Sequence, residues 1–323
     1  MSPPSIKKIL ISDSVAPECK EVLEKAGIVV EMKTDMTKDE LCEKIKGADG
    51  LIVRSATKVT ADVIEASDCL KIVGRAGTGV DNVDIPSATK KNIVVMNTPG
   101  GNTLSAAEHT CFLIGSLARQ IPQAHMSMRE GRWDRKKFMG NELYGKTLGI
   151  IGLGRIGKEV ALRMQAFGMT TIGYDPIIDG KTASEFNVEW MELEQLWPKC
   201  DYITVHVPLI PQTQNLMNEA VFAKCKKTLK VLNVSRGGII SEADLLKALE
   251  AGNIAGAAID TWEQEPTTNT ALVQHPNVIA VPHLGANTRE GQRRCAIEIA
   301  EQIVDWVNGK GLVGAVNARD LKL

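Results

Sequence analysis

Neither charge sign predominates in this chain of 323 residues: 38 Lys and Arg stand against 39 Asp and Glu, a formal net charge of −1. No global field is available to gather nucleic acid or an anionic membrane surface, so neither is expected as a partner, and an anionic ligand must be held by a local cluster. Paired cysteines are also missing. The seven thiols, at 19, 42, 69, 111, 200, 225 and 295, are odd in number, widely spaced and free of any C-x-x-C pair. That argues against a disulfide framework or a zinc site and for reduced thiols in a cytoplasmic protein. The five histidines form neither H-x-x-x-H nor H-E-x-x-H, so no metal is expected. No apolar run approaches the roughly 18 residues of a spanning helix, and neither a low-complexity linker nor a solenoid repeat is visible. What is present is ordinary: 44% hydrophobic and 24% charged residues describe a globular protein. Its length suggests about two domains of roughly 150 residues.

Short Val-, Ile- and Leu-rich runs alternate with amphipathic stretches, the pattern of strands buried on both faces of a parallel sheet. The fold class is α/β. In the first hundred residues the expected strands are Lys8–Ser12, Ile28–Met32, Gly50–Val53, Ile72–Arg75 and Ile93–Met96, with helices over Pro17–Ala26 and Lys38–Lys46. After Pro99-Gly100-Gly101 a long helical stretch, to about Arg129, opens a second unit. Its expected strands are Thr147–Ile151, Thr170–Tyr174, Tyr202–His206, Leu229–Asn233, Ala255–Ile259 and Val278–Ala280, the complement of a dinucleotide-binding sheet. The last periodic segment places Ala296, Ile299, Ala300, Ile303 and Val307 on one face with nothing after it to bury them, so it must pack backwards. We therefore expect two doubly wound parallel-sheet (Rossmann-like) domains, the second inserted into the first: 1–98, 99–286, and 287–323 returning to the first.

The strand Thr147–Ile151 runs into Gly152-Leu153-Gly154-Arg155-Ile156-Gly157, then a helix, then a strand ending in Asp175. Each part has a mechanical reason. Gly152 permits the tight turn, Gly154 lets the backbone approach a diphosphate, and Gly157 lets helix and strand pack closely. The helix amides then bind the diphosphate. Asp175 would accept hydrogen bonds from the adenosine ribose hydroxyls and repel a 2′-phosphate, which favours NAD over NADP.

Further candidates begin where predicted strands end: Asn233-Val234-Ser235-Arg236-Gly237-Gly238, Asp260-Thr261-Trp262-Glu263-Gln264-Glu265-Pro266 and Pro282-His283-Leu284-Gly285. In open parallel sheets ligands bind beyond the carboxyl ends of strands, so these segments converge. Hydride transfer from a carbinol needs a base for the hydroxyl proton, a cation for the substrate's anionic end and a bound nicotinamide. His283, Arg236 and NAD would supply them. His206, inside an apolar strand, and His109, on a packed helix, read as structural.

At these residues, together with Gly74-Arg75-Ala76-Gly77-Thr78-Gly79-Val80-Asp81-Asn82-Val83-Asp84, Asn97-Thr98-Pro99-Gly100-Gly101-Asn102 and Ser105-Ala106-Ala107-Glu108-His109, the chain resembles the D-isomer-specific 2-hydroxyacid dehydrogenase family. The resemblance implies that Arg236 orients the substrate, Glu265 hydrogen-bonds His283, and His283 exchanges the proton. It implies cofactor contacts from Thr78, Arg155, Ile156, Val207, Val234, Ser235, Asp260, Gly285 and Ala286, with Asp260 near the nicotinamide amide. Val207 and Asn287 stand where many members carry a small hydroxyl residue, which leaves backbone contact there. Arg54 and Arg75 each close an N-terminal strand. By resemblance they and Asn102 contact substrate, while Arg135, in the basic run 132–137, could reach the phosphate in a partner subunit's site. The implied reaction is NAD-dependent oxidation of 3-phospho-D-glycerate to 3-phosphohydroxypyruvate, the opening of L-serine synthesis, by a homodimer joined through the helix from about Asn102 to Arg129. Glyoxylate or hydroxypyruvate reduction and nucleotide-sensing corepression are the alternatives. The chain ends at Leu323, where longer members carry regulatory domains, so no serine feedback site is expected in it.

Overall fold

The computed structural model describes residues 4–322. The chain divides into two compact units: the first runs to Asn102 and resumes at Thr288, and the second is Thr103–Asn287. The sequence reading set the crossings near 98 and 286.

In the first unit, β1 (Lys8–Ile11), β2 (Val29–Met32), β3 (Gly50–Val53), β4 (Ile72–Arg75) and β5 (Val94–Met96) form a parallel sheet ordered β2-β1-β3-β4-β5. Side chains alternate across a strand, so Ile9, Ile11, Ile52, Ile72 and Val94 enter one core while Leu10, Leu51, Val53, Val73 and Val95 enter the other. The helix Arg289–Val307 covers the former face with Ala296, Ile299, Ala300 and Ile303, all buried. Each large aliphatic there contributes roughly 1.5–3 kcal/mol by leaving water. Gly74 makes the approach possible, because a Cβ at that position would stand 2.9 Å from Ile299 Cγ1. Thr288 caps the helix through Gly291 N–H at 3.0 Å. Beyond the helix the chain returns along β5: Ala315 pairs antiparallel with Met96, and the Asn317 side chain accepts from Val95 N and donates to Ile93 O, both at 2.9 Å. That return covers an otherwise open sheet edge.

The second unit carries β6 (Thr147–Ile151), β7 (Thr170–Tyr174), β8 (Glu189–Trp190), β9 (Tyr202–Val205), β10 (Lys230–Asn233), β11 (Gly256–Ile259) and β12 (Val278–Ala280) in the order β12-β11-β10-β9-β6-β7-β8, every pair parallel. The edge strand β8 escapes a periodicity argument because it is only 2 residues long. Strand β9 ends at Val205, so His206 lies just past it and not within it as expected. The expected long helix is also corrected: it is two helices, Thr103–Arg119 and Ile121–Arg129, separated by Gln120 at φ 52°. Pro122 is the cause. It has no N–H to give to Ala118 O, four residues back, and that carbonyl accepts instead from Asn141 N at 2.9 Å, while Lys230 Nζ caps Leu117 O at 2.8 Å. Among the described residues no helix is long and apolar enough to cross a membrane.

Candidate active site

In the second unit the chain leaves β6 toward β7 on one side and returns with β9 on the other, so the topological switch lies where β6 and β9 end. Gly152 follows β6 at φ +95°, and a side chain on it would collide with the His206 carbonyl that follows β9. Gly157, buried in the first turn of the helix Arg155–Ala166, leaves no room for a Cβ against Gly152 O. Gly154 differs: it caps the helix, is exposed, and has open space where its Cβ would be. The first-turn amides behind it lack helical acceptors. Asp175, the residue after β7, accepts Leu153 N at 2.8 Å on one oxygen and Ile177 N and Ile178 N at 2.8 and 3.0 Å on the other. The carboxylate thus fixes the glycine turn. An open glycine cradle before a helix N-terminus, flanked by an anchored carboxylate, fits a dinucleotide diphosphate with its ribose alongside.

At the ends of β10, β11 and β12 the sequence candidates meet. His283 Nδ1 and Glu265 Oε2 are 2.8 Å apart, both partly open to solvent. Glu265 Oε1 accepts Trp262 N at 3.1 Å, so the carboxylate is oriented from both sides. His283 adopts φ 52°, a conformation that costs a non-glycine residue free energy and is maintained by its surroundings: its N–H donates to Asp260 O at 2.9 Å. Asp260 is fully buried, and its carboxylate accepts Leu284 N at 2.6 Å and Gly285 N at 2.9 Å, with His109 Nε2 3.3 Å away. Burial pushes the Asp260 carboxyl up, but His109 and the two amides outweigh it and hold the group below its ordinary value. Asp260 therefore braces the His283–Gly285 turn, and His109 was missed as its partner. The Ser105–His109 motif is the signal that pointed there.

Arg236 is half-buried, with Nη1 2.7 Å from Ser235 O. Buried Asn233 shapes its loop, donating to Arg236 O at 2.8 Å and accepting Ser235 N at 3.1 Å. Gly237 lies flush on the Trp262 carbonyl and Glu263 amide, where any Cβ would collide. The Arg236 loop and the Glu265 loop are thus in direct contact. Val234 is buried beside Gly285, and the Val207 carbonyl accepts from Ser235 Oγ. The His206 ring, hydrogen-bonded through Nε2 to Thr204 Oγ1 at 3.0 Å, is pushed by burial down to about 4 and is therefore neutral at physiological pH. Arg135 stands exposed on its loop.

In the first unit the switch point falls between β1 and β3. Arg54 follows β3, its N–H donating to Asp13 Oδ2 at 2.6 Å and its carbonyl accepting from Asn82 Nδ2 at 2.7 Å. Arg75 ends β4 in register with Val53, and its guanidinium lies over Gly77, where a side chain would strike it. Thr78 Oγ1 donates to Asn102 Oδ1 at 2.7 Å, which joins a residue expected at the cofactor to one expected at the substrate. Among the described residues no three His, Cys, Asp or Glu side chains gather as a metal site.

Comparison with known proteins gives a consistent result. Residues 111–285 match the family model described as D-isomer specific 2-hydroxyacid dehydrogenase, NAD binding domain. D-3-phosphoglycerate dehydrogenase of Rattus norvegicus is 59% identical over 317 residues, covering 98% of this chain and 60% of its own length. The protein of the same name from Bacillus subtilis is 45% identical over 310 residues, covering 96% and 59%. This chain thus spans about 60% of the length of these curated relatives. Among solved structures, a glyoxylate reductase from Paecilomyes thermophila superposes with a TM-score of 0.87 at 25% identity, covering 98% of this chain and 99% of that one.

Proposed function

We propose, because the chain belongs to the D-isomer specific 2-hydroxyacid dehydrogenase family, that it oxidises 3-phospho-D-glycerate to 3-phosphohydroxypyruvate with NAD, the opening step of L-serine synthesis. The observation that carries the reading is the His283–Glu265 pair, 2.8 Å apart at the carboxyl end of the same sheet that bears the glycine cradle. Glu265 occupies Nδ1 and so leaves Nε2 to face the substrate. In alcohol oxidation Nε2 takes the C2 hydroxyl proton; in ketone reduction it returns one. NAD, when bound, supplies the acceptor for the C2 hydride. The chain's own part is to hold the diphosphate on the amides at Arg155 and Ile156 and the adenosine ribose at Asp175. Arg236 is proposed to clamp the substrate carboxylate with its planar fork.

A phosphorylated acid brings a second anionic end. Arg54, Arg75 and Asn102 are proposed as its ligands, joined by Arg135 of the partner subunit. The partner would be a second copy of this chain, seated on the second unit, where Phe112, Ile121, Met126, Met128, Trp133 and Met139 are all more than half exposed; so many large apolar side chains left in water on adjoining segments mark an interaction surface. The free state of all seven cysteines supports a reducing, cytoplasmic setting.

The substrate assignment is tested by following NADH formation with 3-phosphoglycerate, then NADH consumption with phosphohydroxypyruvate, hydroxypyruvate and glyoxylate at equal concentrations. Preference for the phosphorylated pair supports it. Preference for glyoxylate, the substrate named for the structural neighbour at 25% identity, would overturn the substrate while keeping the chemistry. Tight NAD binding without turnover would point to a sensor.

A further inference from the structure

Behind the loop that carries Glu265 lies a carboxylate that the reaction does not touch. Glu242 opens the helix Glu242–Glu250 and is 8% exposed, an unusual site for an acid unless its oxygens are taken. They are taken, and by both ends of one loop. Oε1 accepts Glu263 N at 2.6 Å, and Oε2 accepts Asn269 Nδ2 at 2.8 Å. The tie is reciprocal, since Glu242 N donates to Glu263 Oε1 at 2.9 Å. Asn269 is itself locked, because its Oδ1 caps the next helix through Leu272 N at 3.2 Å. The segment 263–269 is therefore anchored at its two ends to one side chain, and Glu265 sits inside it.

We propose that Glu242 is a positioning residue for the proton-transfer pair: it fixes the span that aims Glu265 at His283. Glu265 and His283 are both partly exposed, so little packing holds them in place. Their 2.8 Å contact depends on where the loop backbone runs. Glu263 N is itself part of the backbone on which Gly237 rests, so the same anchor keeps the Arg236 loop in register with the Glu265 loop. Removing the carboxylate takes the acceptor from two part-buried donors, Glu263 N and Asn269 Nδ2, and frees the span. The proposal rests on the reading of Glu265 and His283 given above.

The test is a double-mutant cycle on the intact chain, with kcat, KM for both substrates and NAD binding measured for Glu242→Gln, Glu265→Gln and the combination. A glutamine at 242 retains an acceptor for Glu263 N but turns an NH2 group toward Asn269 Nδ2, where two donors cannot bond. The expected result is a fall in kcat on the order of tenfold for Glu242→Gln, unchanged NAD binding, and no further loss when Glu265→Gln is already present. Asn269→Ser, which keeps the helix cap but cannot reach Glu242, is expected to show the same pattern in weaker form and stands in should Glu242→Gln fold poorly. Wild-type kcat in both variants, or losses that simply multiply with that of Glu265→Gln, would overturn the proposal. Full activity of Glu265→Gln alone would instead overturn the assignment of the proton-transfer pair, and this proposal with it.

Discussion

Single atoms decide cofactor choice and part of the pH response. Asp175 fixes the glycine turn through Leu153 N and is the residue proposed to hold the adenosine ribose. Asp175→Ala is expected to weaken NAD binding and to gain affinity for NADP, as read by titration of nucleotide fluorescence; unchanged NAD affinity with no gain for NADP would remove Asp175 from the site. His206 makes a stability prediction. Burial lowers it from 6.5 to about 4. Between those values the unfolded chain binds a proton that the folded chain does not, so its contribution is complete above 6.5 and is lost as pH falls toward 4. The loss is on the order of 3 kcal/mol. Urea unfolding between pH 7 and 4.5 should show that slope, and His206→Gln should flatten it; an equal slope in both proteins would contradict the assignment. At this scale the sequence was most legible where a residue type has one use. A histidine after a strand end and an acid at the end of β7 announce themselves. Glu242, Asn233 and His109 do not, because their roles exist only through partners distant in sequence, such as Asn269 for Glu242 and Asp260 for His109.

At the scale of elements, the two helix glycines of the cradle separate folding from binding. A methyl at Gly157 collides with the backbone at Gly152, whereas one at Gly154 meets nothing within 4 Å. Gly157→Ala should therefore lower the thermal midpoint, and Gly154→Ala should leave it in place while weakening NAD binding by intruding on the diphosphate. Equal midpoints for both variants would contradict this geometry. Strand bounds such as Gly50–Val53, Thr147–Ile151 and Thr170–Tyr174 were readable because continuous apolar runs end at charged, small or turn-forming residues. Two features were not. Strand β8 pairs only through Ile172↔Glu189 and Gly173↔Trp190 and has no pattern of its own. The break at Gln120 hides inside an apolar periodicity that continues across it. Pro122 was the available signal; the Ala118 carbonyl it frees finds Asn141, and Leu117 O beside it finds Lys230, both distant in sequence.

For the molecule as a whole, the discontinuous first unit was legible from one fact: a C-terminal amphipathic helix with no later segment to cover it. The antiparallel return at Ala315 and the Asn317 contacts that follow it were not, since isolated bridges and side-chain bonds carry no periodicity. The exposed apolar surface of the second unit yields a prediction at this scale. If the proposed dimer forms through it, Trp133→Asp combined with Met139→Asp should convert that dimer to a monomer in light scattering; a species of unchanged mass would remove that surface from the interface. The central claim is that His283, aimed by Glu265, exchanges the substrate proton. Its most direct test is the rate of NADH formation from 3-phosphoglycerate by wild type and His283→Ala, with NAD binding measured in both. A loss of roughly 10²–10⁴ in kcat at equal NAD affinity is predicted, and wild-type turnover by His283→Ala would contradict the account.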